Sequence, residues 1–335
     1  MLNKKLVILL CITVVALMFF GCAKAQKGSA VKVAMVTDIG GVNDQSFNQS
    51  AWEGLQLAEK ELGVKVSYVE STQDADYKPN METLLDAGND LIWGIGFKMG
   101  DTLDELAKLN PEQKYAGIDC FFPEPTPNLV GILFKEQEPS FLVGYIAGKM
   151  TKVNKVGFVG GMDFFVIHKF HYGYLAGVKY ANPECEVFVQ YADSFTDAAK
   201  GKAIANQMYK NGADIVYHAA GGVGDGVIEA AKEQGKFAIG VDKDQNSLAP
   251  DNVITSAMKR VDNAIYNLTM TLVNSEYPGG TNVIYGLKEG GVGIAPTSYK
   301  HVPKEILDEV KVLEAKIIAG EIIPPTSKEE WEAIM

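Results

Sequence analysis

The stretch that decides the fold is residues 37–54, TDIGGVNDQSFNQSAWEG. It follows an apolar, strand-like run at residues 31–36, and the Gly40-Gly41 pair then gives the backbone the freedom that a turn requires. A helix is predicted from near Ser46, because Asp44 and Ser46 are N-cap residue types and apolar residues then recur every three or four positions. A strand, a glycine turn and a helix in this order indicate the first βα unit of an open α/β sheet.

Polar and aromatic side chains gather where this strand ends and the helix begins. They are Asp38, Asn43, Asp44, Phe47 and Asn48. In an open α/β sheet, this position is the crevice in which ligands bind. The alternative is structural: Asp, Asn and Gly are ordinary turn formers, and Phe47 would then be a core residue.

Strand-like and helix-like segments alternate through the rest of the chain in two runs, with a break near residues 135–138. The first run has strands at 31–36, 64–69, 91–95, 115–118 and 129–134, and helices at 46–62, 78–87 and 99–109. The second run has strands at 155–159, 186–191, 215–219 and 237–241, and helices at 166–180, 196–210 and 223–234. Such alternation predicts βαβ units with parallel sheets that are covered on both faces.

Two runs predict an α/β protein with two doubly wound parallel-sheet lobes. The chain is expected to cross between the lobes again around residues 253–259 and 283–293, so that three strands of chain form a hinge. The first lobe would comprise residues 31–135 plus 259–284, and the second lobe residues 136–258 plus 285–335.

The first 22 residues are typical of a signal sequence. Lys4 and Lys5 precede an apolar run at residues 6–20, which is short for a membrane span, and Gly21-Cys22 ends it as a bacterial lipobox does. On this interpretation Cys22 is lipidated and residues 23–30 are a flexible tether. Phe19 and Phe20 depart from the usual lipobox, so an ordinary secretory signal or an anchor helix is the alternative.

Composition narrows the class of partner. The formal net charge is −11 and the charged residues are mixed along the chain, which argues against nucleic acid as a partner. Apart from Cys11 and Cys22, the cysteines are Cys120 and Cys185, too few for a disulfide framework.

Chemically active side chains gather at the carboxyl ends of the predicted strands. Aromatic rings suit a planar ligand, carboxylates accept hydrogen bonds from hydroxyls and amines, and a lysine donates them. Each residue alone is more often part of a turn or a surface charge, and their shared position is what favours a site. The set that we expect in one cleft is Asp38, Phe47, Asn48, Asp119, Tyr217, Gly221, Asp242 and Lys259.

Three local motifs do not fit the templates that they resemble. Residues 221–227 follow a strand but lack the last glycine of G-x-G-x-x-G. Residues 242–246 begin like a calcium loop, yet Ser247 stands where the sharp turn needs glycine. His168 and His171 share a helix face without a third ligand nearby, so no metal and no cofactor is predicted.

Several short segments together resemble the basic membrane lipoprotein family, specifically the PnrA-like purine-nucleoside receptors of ABC transporters. The resemblance covers essentially the whole chain after the signal sequence. The segments are Met35-Val36-Thr37-Asp38, residues 44–49 (DQSFNQ), residues 141–144 (FLVG), Ala220-Gly221-Gly222, residues 239–242 (IGVD) and residues 283–293.

The resemblance implies the periplasmic-binding-protein type I fold and a role for individual residues. A ring at the position of Phe47 stacks on the purine, and an aromatic at the position of Tyr217 covers its other face. An aspartate like Asp119 meets the base edge. Aspartates like Asp38 and Asp242, with a lysine like Lys259, hold the ribose.

The implied function is capture of adenosine, guanosine or inosine for an ABC permease, by a lipid-anchored protein that faces the periplasm or the cell exterior. Members of the same family also bind riboflavin, so a receptor for another ligand is one alternative. A nucleoside-cleaving enzyme could use clustered aspartates too, but the sequence shows no nucleophile–base pair and no phosphate cradle. A structural or adhesive surface lipoprotein is the third alternative.

Overall fold

The computed structural model describes residues 30–334. The predicted signal sequence, the lipidation site Cys22 and the predicted tether, except for its last residue, therefore lie outside the described residues. Within residues 30–334, no helix combines the length and the apolar character that a membrane crossing requires.

Strands and helices alternate through the first part of the described chain. They are β1 (Lys32–Val36), α1 (Phe47–Leu62), β2 (Lys65–Val69), α2 (Tyr77–Asp86), β3 (Leu91–Ile95), α3 (Gly100–Leu109), β4 (Lys114–Ile118) and β5 (Leu129–Phe134). The alternation then continues with α4 (Gln137–Met150), β6 (Lys155–Gly160), α5 (Phe165–Ala181), β7 (Glu186–Tyr191), α6 (Ala198–Lys210), β8 (Ile215–Ala219), α7 (Val223–Gln234), β9 (Phe237–Asp242) and β10 (Val253–Lys259). The last elements are α8 (Val261–Val273), β11 (Thr281–Tyr285), β12 (Val292–Ile294), α9 (Lys304–Ile318) and α10 (Lys328–Ile334).

The strands form two sheets of matching order. The first sheet runs β11-β5-β4-β3-β1-β2 and the second runs β12-β10-β9-β8-β6-β7. Neighbouring strands are parallel except for β10 and β12, which are antiparallel. We call the elements packed on these sheets the first and second lobes. The predicted fold class, two α/β lobes with parallel sheets, is confirmed.

The chain passes between the lobes three times: after β5, after β10, and between β11 and β12. These segments bond to one another, since Lys135 N donates to Tyr285 O at 2.9 Å and Arg260 N donates to Gly291 O at 2.8 Å. The predicted lobe boundaries shift by one residue at two places. Lys259 pairs with Val292 in the second sheet, and Tyr285 pairs with Phe134 in the first sheet. We therefore propose 260–285 as the late segment of the first lobe.

Helix α4 (Gln137–Met150) was not predicted, and it begins within the predicted break near residues 135–138. Its residues from Glu138 to Gly148 are all buried, so no polar stripe marks it as a helix. It packs closely on α5 through glycines: a Cβ on Gly144 would lie 2.3 Å from Tyr174 O, and one on Gly177 would lie 2.0 Å from Phe141 O. A helix buried on all sides lacks the 3.6-residue periodicity on which a sequence prediction depends.

Candidate ligand-binding site

A cavity of about 580 Å³ lies between the lobes, against the carboxyl ends of their strands. We call it the ligand cavity. Its lining residues are Asp38, Gly40, Asp44, Phe47, Asn48, Gly96, Phe97, Asp119, Val166, Ile167, Phe170, Phe195, Ala219, Ala220, Gly221, Val241, Asp242 and Lys259.

One corner of the cavity is built on the start of α1. The carboxylate of Asp44 accepts from the backbone N–H groups of Ser46, Asn48 and Gln49 at 2.8–3.0 Å, which satisfies donors that the first turn of a helix leaves free. The side-chain Nδ2 of Asn48 donates to Asp38 at 2.8 Å and to Asp44 at 2.9 Å. Among residues 30–334, no group bonds to the buried Oδ1 of Asn48. This corner therefore holds a hydrogen-bond acceptor that the described residues leave unused.

Asp38 follows β1 and completes this corner. Its Oδ1 accepts from Gly40 N at 2.8 Å as well as from Asn48. Burial raises the pKa of Asp38 to about 6, and the nearby Asp44 adds to the effect, while the two hydrogen bonds oppose it. Asp38 is thus a carboxyl group that a donor from a ligand would help to keep ionised.

A chain of four charges of alternating sign begins in the cavity lining, and three of the four are buried. Lys259 Nζ donates to both oxygens of Asp119, at 2.7 and 2.8 Å, and lies 2.9 Å from Glu136 Oε1. Glu136 Oε2 in turn accepts from Lys169 Nζ at 3.1 Å. We call Asp119, Lys259, Glu136 and Lys169 the charge chain.

Burial and neighbouring charges together set the pKa of Glu136, Asp119 and Lys259 in the charge chain. Burial alone would raise the pKa of Glu136, but Lys259 and Lys169 outweigh it, so the pKa lies below its ordinary value. Burial raises the pKa of Asp119, although Lys259 opposes this. Burial would lower the pKa of Lys259, but the surrounding carboxylates raise it. Lys259 therefore stays a cation deep in the protein, where it is 1% exposed.

Asp242 occupies the place in the second lobe that Asp119 occupies in the first. Each stands at the carboxyl end of the fourth strand of its lobe, and each has a backbone φ of 62°. Asp242 accepts from Ser46 Oγ of the first lobe, and burial raises the pKa of Asp242 to about 7 against the opposing effects of Lys259 and Ser46. Asp242 bonds to Ser46 rather than to Lys259, so the lysine and this aspartate do not form a direct pair.

Aromatic rings supply the apolar walls. Phe47 comes from the first lobe, and Lys259 Nζ lies 5.1 Å from the centroid of its ring. Phe170 and Phe195 come from the second lobe. The Phe195 ring lies over Gly161, where a Cβ would come within 2.2 Å of Phe195 Cε1. The cavity can therefore enclose a flat ligand between rings of opposite lobes.

The lobes touch each other around the cavity. Besides the bond between Ser46 and Asp242, Gln245 Nε2 donates to Gln45 O at 3.1 Å, and Lys243 Nζ lies 2.5 Å from Glu53 Oε1. These contacts join the start of α1 to the loop after β9. The structure is therefore a closed arrangement of the two lobes.

The structure brings most of the predicted site residues together and corrects one. Asp38, Phe47, Asn48, Asp119, Gly221, Asp242 and Lys259 all line the ligand cavity. Tyr217 does not line it: the residue is the third of the five in β8, it is 0% exposed, and its hydroxyl lies 3.0 Å from Ser140 Oγ. Its ring packs against Phe158 and Tyr174 in the core, because its position in mid-strand directs it under the helices.

Sequence reasoning missed the aromatic residues of the second lobe and half of the charge chain. Phe195 follows the end of β7. The principle that site residues gather at the carboxyl ends of strands therefore identifies it when it is applied to that strand. Glu136 lies in the first crossing segment and Lys169 within α5, and no local pattern distinguishes either of them. Their role depends on how the crossing segments meet in space.

Comparison with known proteins agrees with this geometry. A family model described as "ABC transporter substrate-binding protein PnrA-like" matches residues 31–328. Basic membrane protein A of Borreliella burgdorferi is 43% identical over 98% of both chains. The ABC transporter nucleoside-binding protein BmpA of Lactococcus lactis is 40% identical, covering 88% of this chain and 89% of its own.

A solved structure extends the match to the fold. An ABC transporter solute-binding protein from Aeropyrum pernix K1 superposes with a TM-score of 0.83 at 32% identity, over 91% of this chain and 96% of that chain. The family consists of substrate-binding proteins rather than enzymes. The chain therefore belongs to the Bmp family of PnrA-like ABC transporter substrate-binding proteins.

Proposed function

We propose that this protein captures purine nucleosides for an ABC importer and that a lipid on Cys22 anchors it to the membrane. The observation that carries the proposal is the ligand cavity itself, which places aromatic rings of both lobes beside buried hydrogen-bond acceptors. A nucleoside has the matching parts, a flat aromatic base with a polar edge and a polar sugar. The name of the Lactococcus relative, a nucleoside-binding protein, supports the same ligand class.

The base would lie against Phe47. Stacking on an aromatic ring contributes about 1–3 kcal/mol per base. Asp119 lies on the same side of the cavity, and Lys259 fixes its carboxylate by donating to both oxygens. In this position Asp119 would accept hydrogen bonds from the N–H groups at a purine edge.

The ribose would lie against the acceptors at the other side. Ribose hydroxyls donate well to carboxylates, and Asp38, Asp242 and the unpaired Oδ1 of Asn48 are such acceptors. In the closed lobes Asp242 and Asn48 are buried and Asp38 is half-buried, so a ligand that lacks the hydroxyls would leave buried acceptors unsatisfied. We therefore propose a preference for nucleosides over free bases.

The charge of the cavity favours a neutral ligand. Lys259 is paired with Asp119 and Glu136, so its charge is already balanced. Asp38, Asp44 and Asp242 add carboxyl groups to the lining. A nucleotide phosphate would meet these groups and be repelled, whereas the hydroxyl of a nucleoside would not.

The anchoring proposal rests on the first 22 residues. A single acyl chain binds membranes only marginally, so stable attachment requires the several chains of a bacterial lipoprotein. We propose that Cys22 carries them and that the short segment 23–30 tethers the lobes outside the membrane.

Mass spectrometry of the molecule released from gently purified protein tests the ligand class. Release of adenosine, guanosine or inosine is the expected result. Release of riboflavin would place the protein among receptors for other ligands. Conversion of added nucleoside to base and sugar would indicate an enzyme and contradict the proposal.

A further inference from the structure

Two phenylalanines, one from each lobe, stack on each other beside the ligand cavity. Phe97 follows β3 in the first lobe, and Phe164 immediately precedes α5 in the second lobe. Their ring centroids are 3.8 Å apart with planes at 16°, and Phe165 packs edge-on against Phe97 at 6.4 Å. Because one ring belongs to each lobe, the stack exists only while the lobes are closed.

The side chain of Phe97 also lines three neighbouring spaces, of which the ligand cavity is one. It lines the ligand cavity. It lines a wider groove of about 1450 Å³, between α3 and the loop after β4 on one side and Phe165 and Lys169 on the other. It lines a third space of about 600 Å³ beside Ile39 and Met162. We call the second space the outer groove. Phe97 therefore separates the ligand cavity from both neighbouring spaces.

The backbone beneath Phe97 is held in place. Gly96 has a φ of 120°, a conformation that side-chain-bearing residues rarely adopt, and its carbonyl accepts from Met99 N at 3.1 Å. Lys98 Nζ, next in the chain, lies 2.9 Å from Asp74 Oδ2. The ring can therefore leave its place only by rotating its side chain or when the lobes separate.

We propose that the stack of Phe97 on Phe164 is the lid of the ligand cavity and sets the largest ligand that fits. The proposal rests on the proposed nucleoside-binding function. On that function, the purine nucleoside lies inside the closed cavity, while a substituent that extends past Phe97 must enter the outer groove or the third space and break the stack. Phe97 thus acts as a specificity-determining residue, and Phe164 acts by holding it.

Dissociation kinetics test the lid. Adenosine release is followed by stopped-flow fluorescence for the wild type, Phe97→Ala, Phe164→Ala and the double variant. An aromatic pair contributes about 0.5–1.5 kcal/mol beyond its buried area, so we expect release to be about 2- to 10-fold faster in each single variant. The double variant should release no faster than the single variants, because one stack is lost in all three.

Two control variants distinguish loss of the lid from a general loss of folding. Phe121→Ala removes a ring that lines the outer groove but not the ligand cavity and that is 61% exposed, so its release rate should equal the wild-type rate. Phe97→Leu keeps an apolar side chain but removes the ring. If Phe97→Ala folds poorly, Phe97→Leu still tests the lid, and it should release adenosine faster than the wild type.

Ligand size gives the second readout. N6-benzyladenosine and the 5′-N-benzylcarboxamide of adenosine extend the ligand from its base and from its sugar. At least one of them should gain tenfold or more in affinity relative to adenosine when Phe97 becomes alanine.

Unchanged release rates in the Phe97 and Phe164 variants, or no relative gain for either extended ligand, would overturn the lid. A wild-type protein that does not bind adenosine at all would instead contradict the proposed function.

Discussion

Replacing Glu136 by glutamine removes the negative charge that two lysines share. The side chain of Glu136 is 1% exposed, with Lys259 at 2.9 Å and Lys169 at 3.1 Å. The charge chain contains two positive and two negative groups, so the glutamine variant would bury one uncompensated positive charge. Breaking a buried ion pair by removing one partner costs about 3–5 kcal/mol. Because Lys169 is 21% exposed and partly hydrated, we expect the lower end, about 3 kcal/mol.

A second substitution tests the electrostatic reasoning. Lys169→Met alone leaves one uncompensated negative charge, which Lys259 still contacts, so it should cost less. The double variant, Glu136→Gln with Lys169→Met, leaves only the neutral pair of Asp119 and Lys259. It should therefore recover most of the stability that the glutamine variant loses.

The assay is urea unfolding of ligand-free protein at pH 7, with midpoint and slope compared among the four proteins. A glutamine variant within about 1 kcal/mol of the wild type would refute the buried-charge reasoning, because that is the range of exposed pairs. A double variant whose loss equals the sum of the two single losses would refute the pairing of Glu136 with Lys169.

Three other predictions each concern a single substitution. Phe47→Ala should weaken adenosine binding by about 1–3 kcal/mol in calorimetry, whereas Tyr217→Phe should leave it unchanged because that ring lies in the core; equal losses in both would contradict the site. Asp242→Asn should raise ligand-free stability above pH 7 by up to about 4 kcal/mol, because the folded pKa of about 7 exceeds the ordinary 3.8. The contribution of Asp242 to wild-type stability should accordingly be fully present below pH 4 and be lost as the pH rises through 7. In melting experiments the asparagine variant should lack this share of the slope, and a slope equal to that of the wild type would place the titration elsewhere. Cys22→Ala should move the protein from the detergent phase to the aqueous phase in phase partitioning, and a variant that stays in the detergent phase would contradict lipidation at that residue.

The sequence could predict those site residues whose position depends only on one strand and the loop that follows it. Asp38, Asp119 and Asp242 each stand at the end of a parallel strand, and parallel strands bring such ends to one edge of a sheet. The resemblance to a known family added the expected ligand, which spacing alone does not contain.

The sequence could not predict what depends on contacts between lobes. Tyr217 is a different case: it was expected in the site because its strand ends there, but it is the third of five residues in β8 and its ring packs in the core of the second lobe. Glu136 meets Lys259 only because two crossing segments lie side by side, and Phe97 meets Phe164 only when the lobes close. Such contacts join residues that are far apart in the chain, so no local pattern records them.

The central claim is that the closed cavity recognises the base and the ribose together. Calorimetry of adenosine and of adenine with the same wild-type protein tests it most directly. The account predicts that adenosine binds at least tenfold more tightly, because adenine would leave the buried Asp242 and Asn48 and the half-buried Asp38 without the ribose hydroxyls. Equal affinities for adenosine and adenine would contradict it.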